Sequence, residues 1–594
     1  MAQSMPSHFS QNRRLLRLET ALGTDVLIPT RLEGEETLSG GFIYDIKVFA
    51  AADDADQVSA EALVGKQATA VIVQEDGRDR YINGYVKALR PLGVRDEDRT
   101  RGYELTLVSW LWLLGQSTDC RVFQDMTLPA VIERVAGEWS GYGKLRMDIQ
   151  GRHAEQELVV QYNETTLNFI HRIARRAGLC YYIEHESGSH TVTFTDQPKR
   201  LPWVRAETLH LRAADTADHD ALLSWTHRRA LSSGRLTQRC YNYLSPEQAV
   251  EADQPANSWI TGLSRAQDLR RYGYSELYDD RSAGNADTER TLAQQSSGHA
   301  VAQARGNYRH LLAGHRFTLA GEPGEEIFGD DGRTFVLSRV SLNVTNAADG
   351  PRHSCHLDAV PDGELVYPRG QAPRIASLQT AVVTGHEADT VYTDHNQRQL
   401  GRIKAQFHWD REGTYTPDSS CWLRVMQSGG GNGFAGFYAL PRVGAEVVVA
   451  FENGNPDRPF VLGTLPHPNT PPPYGDRPTC SGVKTRSFTG GGAEPSGYNE
   501  LRFDDKTGAE EVYFQAERDY NAMVKRNASE QIDNDAEQQV GNDVTRRVGN
   551  NESCDVGNDL IITAGNSITL QVGGNTVTID TSGVTINGQQ VSIN

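Results

Sequence analysis

Three short stretches carry residue types that could do chemistry. GNGFAG, residues 431–436, satisfies the G-x-G-x-x-G spacing of dinucleotide-binding turns. That turn binds a pyrophosphate only where it follows a strand, opens a helix and precedes an acidic residue on the next strand. Here strand-like sequence lies on both sides, so the segment reads as a loop between two strands. HESGSH, residues 185–190, offers His185 and His190, but they are five residues apart at a strand end with Gly188 in the turn, and lack the i, i+4 geometry of a helical zinc pair. His408 stands beside Asp410 in FHWD with no serine or cysteine in a recognisable nucleophile elbow. Trp409 then reads as a core anchor at a strand end and Asp410 as a turn residue. Asp504, Asp505, Glu510 and Glu511 read as a solvated hairpin. No catalytic residue, metal site or cofactor is expected.

The seven cysteines (Cys120, Cys180, Cys240, Cys355, Cys421, Cys480 and Cys554) are odd in number and without C-x-x-C spacing. That suits reduced thiols of a cytoplasmic chain rather than disulfides or zinc. The formal net charge of −18 argues against nucleic acid as a partner, because counterion release needs clustered Lys and Arg. The N-terminal residues contain no apolar core of a signal peptide, and the run VSWLWLLG, 108–115, is far shorter than a membrane helix. Export, if it happens, is expected to need another machine.

The elements that must position these residues are mostly strands. From residue 15 to about 370, segments such as YINGYVKALR and YELTLVSW alternate with turns, interrupted by two helical signals. In LPAVIERVAGEW, Leu128, Val131, Ile132 and Val135 share a helical face; in ETTLNFIHRIARRAG, Leu167, Ile170, Ile173, Ala174 and Ala177 do, with Thr165 as N-cap and Gly178 as the stop. Residues 375–465 follow a period of two: Ile403, Ala405, Phe407 and Trp409 on one face, Lys404, Gln406 and His408 on the other. CWLRVMQ and GAEVVVAF continue at the spacing of a small five-stranded barrel. PHPNTPPPYGDRP, 466–478, is an extended connector.

Beyond it the composition changes. Val540, Val548, Val556, Ala564 and Val572 are each followed by glycine (Gly541, Gly549, Gly557, Gly565, Gly573), at a strict interval of eight. A unit of one short strand and one tight corner fits that period, with glycine supplying a corner of positive φ. No aromatic residue follows Tyr520, so one chain alone cannot build a core here. Three chains wound about one axis can, with Val540, Val548, Val556, Leu560, Ile562, Ile568, Leu570, Val577, Ile579, Val584 and Ile586 forming the trimer core. The apolar pairs Leu560/Ile562, Ile568/Leu570, Val577/Ile579, Val584/Ile586 and Val591/Ile593 draw closer together toward the end, which predicts that the octad gives way to a heptad. Residues 581–594 carry no charge, and such edges are ordinarily covered.

LGRIKAQFHWD, CWLRVMQSGGGNGFAGFYALPRVGAEVVVAFENGNPDRPFVLGTL, PPPYG and YNELRFDDKTGAEEVYFQAERD, followed by the repeat, resemble the valine-glycine repeat (VgrG) proteins of bacterial type VI secretion. DCRVFQDMTLPAVIERV and QYNETTLNFIHRIARRAGLCYYIEHE are similar to that family's hub, so the resemblance spans nearly the whole chain. The chain departs from it in the SGGGNGFAG loop, where Phe434 and Phe437 replace the tryptophans of many relatives. The resemblance implies a mainly β fold: a phage-tail-hub-like domain of β-barrels over 1–370 with an α/β insertion near 125–190, an OB-fold at 375–465, a linker and neck at 466–523, and an intertwined triple-stranded β-helix at 524–594. It implies a non-enzymatic, cell-puncturing homotrimeric spike that sits on a hexameric tube of the Hcp type, crosses a membrane transiently, and carries effectors and a PAAR-type tip protein held by Gln589, Gln590, Val591, Ser592, Ile593 and Asn594. It also implies secretion through the type VI apparatus. A contractile phage or bacteriocin tail spike shares the same physics. A polysaccharide-cleaving β-helix would need aromatic residues to stack sugars, and the repeat has none. Phage spikes can carry a lysozyme domain before the needle, but the roughly sixty residues from Leu465 to Val524 leave no room for its carboxylate cleft, and no toxin domain is expected beyond the needle.

Overall fold

The computed structural model describes residues 10–593 apart from 75, 96–99, 213–219, 249, 257, 275–277, 279, 297–298, 322–326, 328, 348–349, 365, 389, 396–398, 431–435 and 489–496. The chain divides into two compact units, Met1–Glu517 and Arg518–Asn594.

In the first unit, a twelve-stranded sheet begins with Leu16–Glu19 and Gln67–Ile72 and passes through Arg80–Arg95, Thr100–Val108, Gly41–Ala51 and Ile28–Thr37 to Thr334–Ala347. From there Arg316–Gly321, Trp203–Leu211, Leu222–Arg229, Ala300–Gly306 and Gly350–Pro361 follow in order, and the last pairs back onto Thr334–Ala347 to close a six-stranded ring. Alternation fills the interior: Tyr44, Ile46 and Val48 of one strand and Leu105 and Leu107 of its partner are buried, while the intervening residues face out.

Packed on this sheet are the helix Leu128–Gly137, the strand Val159–Thr165, the helix Thr166–Ala177 and the hairpin Cys180–Glu186/Ser189–Thr195. The Thr165 hydroxyl accepts from the amide of Asn168 at 3.1 Å, and Gly178 ends the helix with φ 76°. Val131, Ile132, Val135, Phe169, Ile170 and Ile173 are fully buried in one core. The longest helix, Arg281–Ser296, lies outside the two expected ones. Its sequence RSAGNADTERTLAQQS has no apolar stripe, and it packs through small and polar groups: Thr288 is buried and donates to Gln238 Oε1 at 2.9 Å. A Cβ at Gly284 would lie 2.7 Å from the Tyr278 ring.

The strands Gln379–Thr384, Ile403–Phe407, Trp422–Val425, Pro459–Leu465 and Glu446–Phe451 close a five-stranded barrel in that spatial order. Ile403, Ala405 and Phe407 fill it. Gln406, on the face read as polar, is equally buried, because its side chain ties down the following turn: it donates to the carbonyl of Asp410 and accepts from the Tyr415 amide at 2.7 Å. Ion pairs seat the barrel on the hub. Arg176 donates to Asp457 at 2.8 Å, Arg121 bridges Glu138 and Glu412, and buried Arg402 joins Asp394 and Glu157. Beyond the barrel, Cys480–Lys484, Glu500–Asp504 and Glu511–Gln515 form an antiparallel sheet in sequence order.

In the second unit, the only strands among the described residues are Ser567–Val572, Asn575–Asp580 and Gly583–Asn587, again an antiparallel sheet in sequence order.

Candidate assembly site: the C-terminal repeat and its flanking sheets

The backbone bends at residues 517–518, 525–526, 533–534, 541–542, 549–550, 557–558 and 565–566, seven bends eight residues apart. The period therefore starts well before the first Val-Gly. At the three earlier bends Glu517, Lys525 and Asp533 stand where glycine stands later, but each still follows an apolar residue: Ala516, Val524 and Ile532. Glycine marked the later corners in the sequence; the apolar residue before each bend was the signal that reached further back.

The corner glycines correct another expectation. Gly573 has φ 54°, but Gly541, Gly549, Gly557 and Gly565 do not have positive φ. An added Cβ at any of these four meets nothing within 4 Å inside the chain. Neither backbone conformation nor packing within the chain accounts for them.

From Arg518 to Asn566 no strand ladder joins the described residues to one another. Val540, Val548 and Val556, one to each octad, are 45%, 45% and 42% exposed, and Leu560 and Ile562, which share the next octad, are both 64% exposed. Alternation from each corner valine places Val544, Arg546 and Val548 in one phase, then Glu552, Cys554 and Val556, then Leu560, Ile562 and Ala564. The two charges of that phase pair across a corner, Arg546 Nη1 to Glu552 Oε1 at 3.0 Å.

Past Asn566 the corners stay eight residues apart, at the turns 573–574 and 581–582, so the expected shortening to a heptad does not occur. What changes is the direction of the chain. Two-residue turns reverse it, and the apolar pairs draw closer in sequence because they face one another across hairpins. Ile568 pairs with Ile579 and Ile579 with Val584; Leu570 pairs with Val577 and Val577 with Ile586. Six of the expected core residues thus come together as one apolar face. After this sheet, the Gln589 amide donates to Asn575 Oδ1 at 3.4 Å, and Val591 and Ile593 are 49% and 91% exposed. Asn594 lies outside the described residues.

The other sequence candidates are accounted for elsewhere. His185 and His190 face each other across the hairpin whose turn contains Gly188, φ 72°. His190 Nε2 accepts from the Trp110 amide at 3.0 Å and its Nδ1 lies 2.8 Å from Asn83 Oδ1. Burial pushes His190 down to about 4 and His185 well below its ordinary value. Among the described residues no group of three or more His, Cys, Asp or Glu is placed to hold a metal ion. His408 is half-exposed, 3.5 Å from Glu446, while the Trp409 indole donates to Gln379 at 2.8 Å and Asp410 accepts from the amides of Glu412 and Gly413. Asp504 is held down to about 2 by hydrogen bonds, first that from Thr479. Of GNGFAG, residues 431–435, including Phe434, lie outside the described residues, and Gly436 forms a bridge with Gly430.

Residues 35–348 match the phage tail baseplate hub (GPD) family, 389–465 the type VI secretion system/phage-baseplate injector OB domain, and 481–592 the bacteriophage T4 gp5 C-terminal trimerisation domain. The chain is 30% identical over 534 residues to the type VI secretion system spike protein VgrG1a of Pseudomonas aeruginosa, covering 87% of this chain and 80% of that one. Against VgrG1b of the same species it is 30% identical over 87% of this chain and 69% of that one. The actin cross-linking toxin VgrG1 of Vibrio cholerae is 26% identical over 85% of this chain but only 46% of its own length. The fold is similar to that of an Escherichia coli type VI secretion component described as resembling the T4 tail proteins gp27 and gp5 (TM-score 0.52, 17% identity, 74% of this chain and 97% of that one). It is also similar to a chain of the half-lidded Francisella PdpA–VgrG complex (TM-score 0.51, 8% identity, 84% and 88%). With its hub, barrel and repeat each matched in order, the chain belongs to the VgrG family of type VI secretion system spike proteins, structural puncturing spikes built on the phage tail hub.

Proposed function

We propose that the chain works as a homotrimer whose three repeats wind about one axis. The observation that carries this is the run of seven bends, eight residues apart, with no ladder inside the chain. Backbone N–H and C=O groups taken out of water need partners; no ladder within the chain supplies them between Arg518 and Asn566, so a rod that buries this segment draws them from other chains. The core of the rod is then Val540, Val548, Val556, Leu560 and Ile562, continued by Ile568, Leu570, Val577, Ile579, Val584 and Ile586. Val524 and Ile532 extend it toward the hub. Burying an aliphatic side chain stabilises by roughly 1.5–3 kcal/mol, and each column acts in triplicate. Gly541, Gly549, Gly557 and Gly565 are corners where a neighbouring chain passes too close for a Cβ.

The trimer sits on a hexameric tube protein and is driven out of the producing cell by the contracting apparatus, reaching the target by crossing its membrane. The rod supplies rigidity and kinetic stability to that step rather than turnover. Gln589 to Asn594 receive a PAAR-type tip protein, through which effectors travel. Light scattering on the purified chain, 65.6 kDa as a monomer, should return three times that mass. A monomer at micromolar concentration would refute the reading.

A further inference from the structure

The six-stranded ring of the hub carries arginines on its outer face that no acid of the chain answers. Register sets Ser224 beside Arg305 and His356, and Thr226 beside Gln303, Asp358 and Arg339. Their strand neighbours Trp225, Ala302, Ala304, Leu357 and Ala359 are buried, so alternation turns the first set outward. Two adjoining hollows lie on this face, of about 450 Å³ and about 560 Å³, and both are lined by Gln303, Arg339 and Asp358. Tyr367 and Arg369, from the segment that leads to the barrel, line the first as well. Arg339 pairs with Asp358 at 2.8 Å and with Glu35 at 3.6 Å, and Gln303 donates to Asp358 at 3.0 Å. Arg228, Arg305 and Arg369 are exposed and form no ion pair among the described residues. Four arginines thus meet two carboxylates in one groove, on a chain whose formal net charge is −18.

We propose that this groove docks an acidic, extended segment of another protein. Arg228 and Arg369 line the first hollow and Arg305 the second. Arg305 faces Ser224, four residues from Arg228, so the two backbone positions lie about 13 Å apart at about 3.3 Å per residue. A small anion meets one end or the other, whereas an extended segment of about five residues at that rise, with acids at alternate positions, meets both. Guanidinium groups without a partner suit carboxylates in particular, because the planar fork and the carboxylate share two parallel hydrogen bonds. Leu223, 45% exposed in the second hollow, offers such a segment an apolar contact. A nucleic acid fits less well: its evenly spaced phosphates would fall on Glu35 and Asp358 too, and the field of an acidic chain repels a polyanion. One chain builds the whole groove, so the proposal does not depend on the trimeric reading of the repeat.

Fluorescence anisotropy on the purified full-length chain tests it, with a labelled peptide of alternating glutamate and threonine as the probe. The wild type should bind this peptide, more weakly as salt rises, and should ignore one of alternating lysine and threonine. Arg228→Glu with Arg305→Glu should weaken binding at least ten-fold. Arg152→Glu with Arg270→Glu, two exposed arginines outside the groove, should leave it within two-fold of wild type. Arg369→Glu, which lies outside the strands of the ring, should weaken binding several-fold by itself and keeps the test decisive if the strand variant folds poorly. A wild type that does not bind the acidic peptide, or groove variants that bind it as well as wild type, overturn the proposal. So does single-stranded DNA of the same charge competing more strongly than the peptide, since the groove would then read phosphates. A change in the mass of the chain in solution on Arg228→Glu with Arg305→Glu would give the groove to a second copy of this chain and overturn it too.

Discussion

Nothing within a single chain asks for glycine at 541, 549, 557 and 565, and that gives their substitution a decisive sign. At a position of ordinary φ with open space, Gly→Ala stabilises by about 0.4–1 kcal/mol by restricting the unfolded chain. If a neighbouring chain passes over the corner, the new methyl groups clash at three places on one level. We expect Gly549→Ala to lower the melting temperature of the trimer; a rise would mean that no chain approaches there. Arg546 and Glu552 make a second test of phase. Both occupy the column that Leu560, Ile562 and the corner valines share, and they pair at 3.0 Å. Removing one partner of a buried pair costs about 3–5 kcal/mol, whereas replacing both with apolar residues is often neutral or stabilising. Glu552→Leu alone should weaken the trimer strongly, and Arg546→Leu with Glu552→Leu should restore it in thermal melts. If the side chains face solvent instead, neither change should exceed about 1 kcal/mol.

At the scale of elements, alternation made the barrel legible, since Ile403, Ala405 and Phe407 point inward as the period of two requires. Apolar spacing did the same for Leu128–Gly137, and spacing together with the Thr165 cap and Gly178 stop for Thr166–Ala177. The helix Arg281–Ser296 was not legible because its contacts are made by Thr288, Gly284 and a single leucine, Leu292, so no hydrophobic period exists to read. The distal sheet, residues 567–587, was half legible: its apolar pairs stood out, but spacing along a chain cannot distinguish a narrowing helix from a hairpin that turns back. The hairpin around His185 and His190 was visible as a turn, while the burial of its histidines depended on Phe42, Asn83 and Trp110, distant in sequence. That burial has a consequence for pH. His190 titrates at about 4 in the folded chain, against about 6.5 when unfolded. Between those values the unfolded chain binds more protons, so the contribution of His190 is complete above pH 6.5 and is lost as pH falls toward 4. His171 and His315, also pushed down to about 4 by burial, act in the same direction, while Glu36 and Glu164, raised by burial, oppose them. Comparing variants isolates one group. We expect His190→Gln to be less stable than wild type at pH 7.5, and the gap in denaturant unfolding free energy to close by roughly 2–3 kcal/mol by pH 4.5, at 1.36 kcal/mol per pKa unit. A gap independent of pH would show that His190 is not held neutral.

For the whole molecule, the distal sheet decides where the chain can be cut to test the proposed docking of a tip protein. The third strand of that sheet is Gly583–Asn587, so cutting the chain at Gly583 would destroy the sheet together with any docking surface beyond it, and loss of a cap would then prove nothing about the tip. A stop after Gly588 is the informative cut. It keeps the cross-strand ladder from Ile568 to Ile586 and removes only Gln589 to Asn594, including exposed Val591 and Ile593. Those residues carry no charge, so binding through them should rest on backbone pairing and apolar burial and should survive salt that screens charges beyond a few ångströms. We expect the chain ending at Gly588 to keep its trimeric mass and the exchange protection of 567–587, yet to lose a PAAR-type protein in a pull-down that the full chain passes equally well in low salt and in about 1 M salt, where the screening length is about 3 Å. Retention of the cap by the shortened trimer would move the docking site to the flank of the rod or to the hub. Capture that faded with salt in the full chain would point to charged flanks such as Asp535, Asp543 and Asp559, which the octad alternation places on the opposite side from the corner valines.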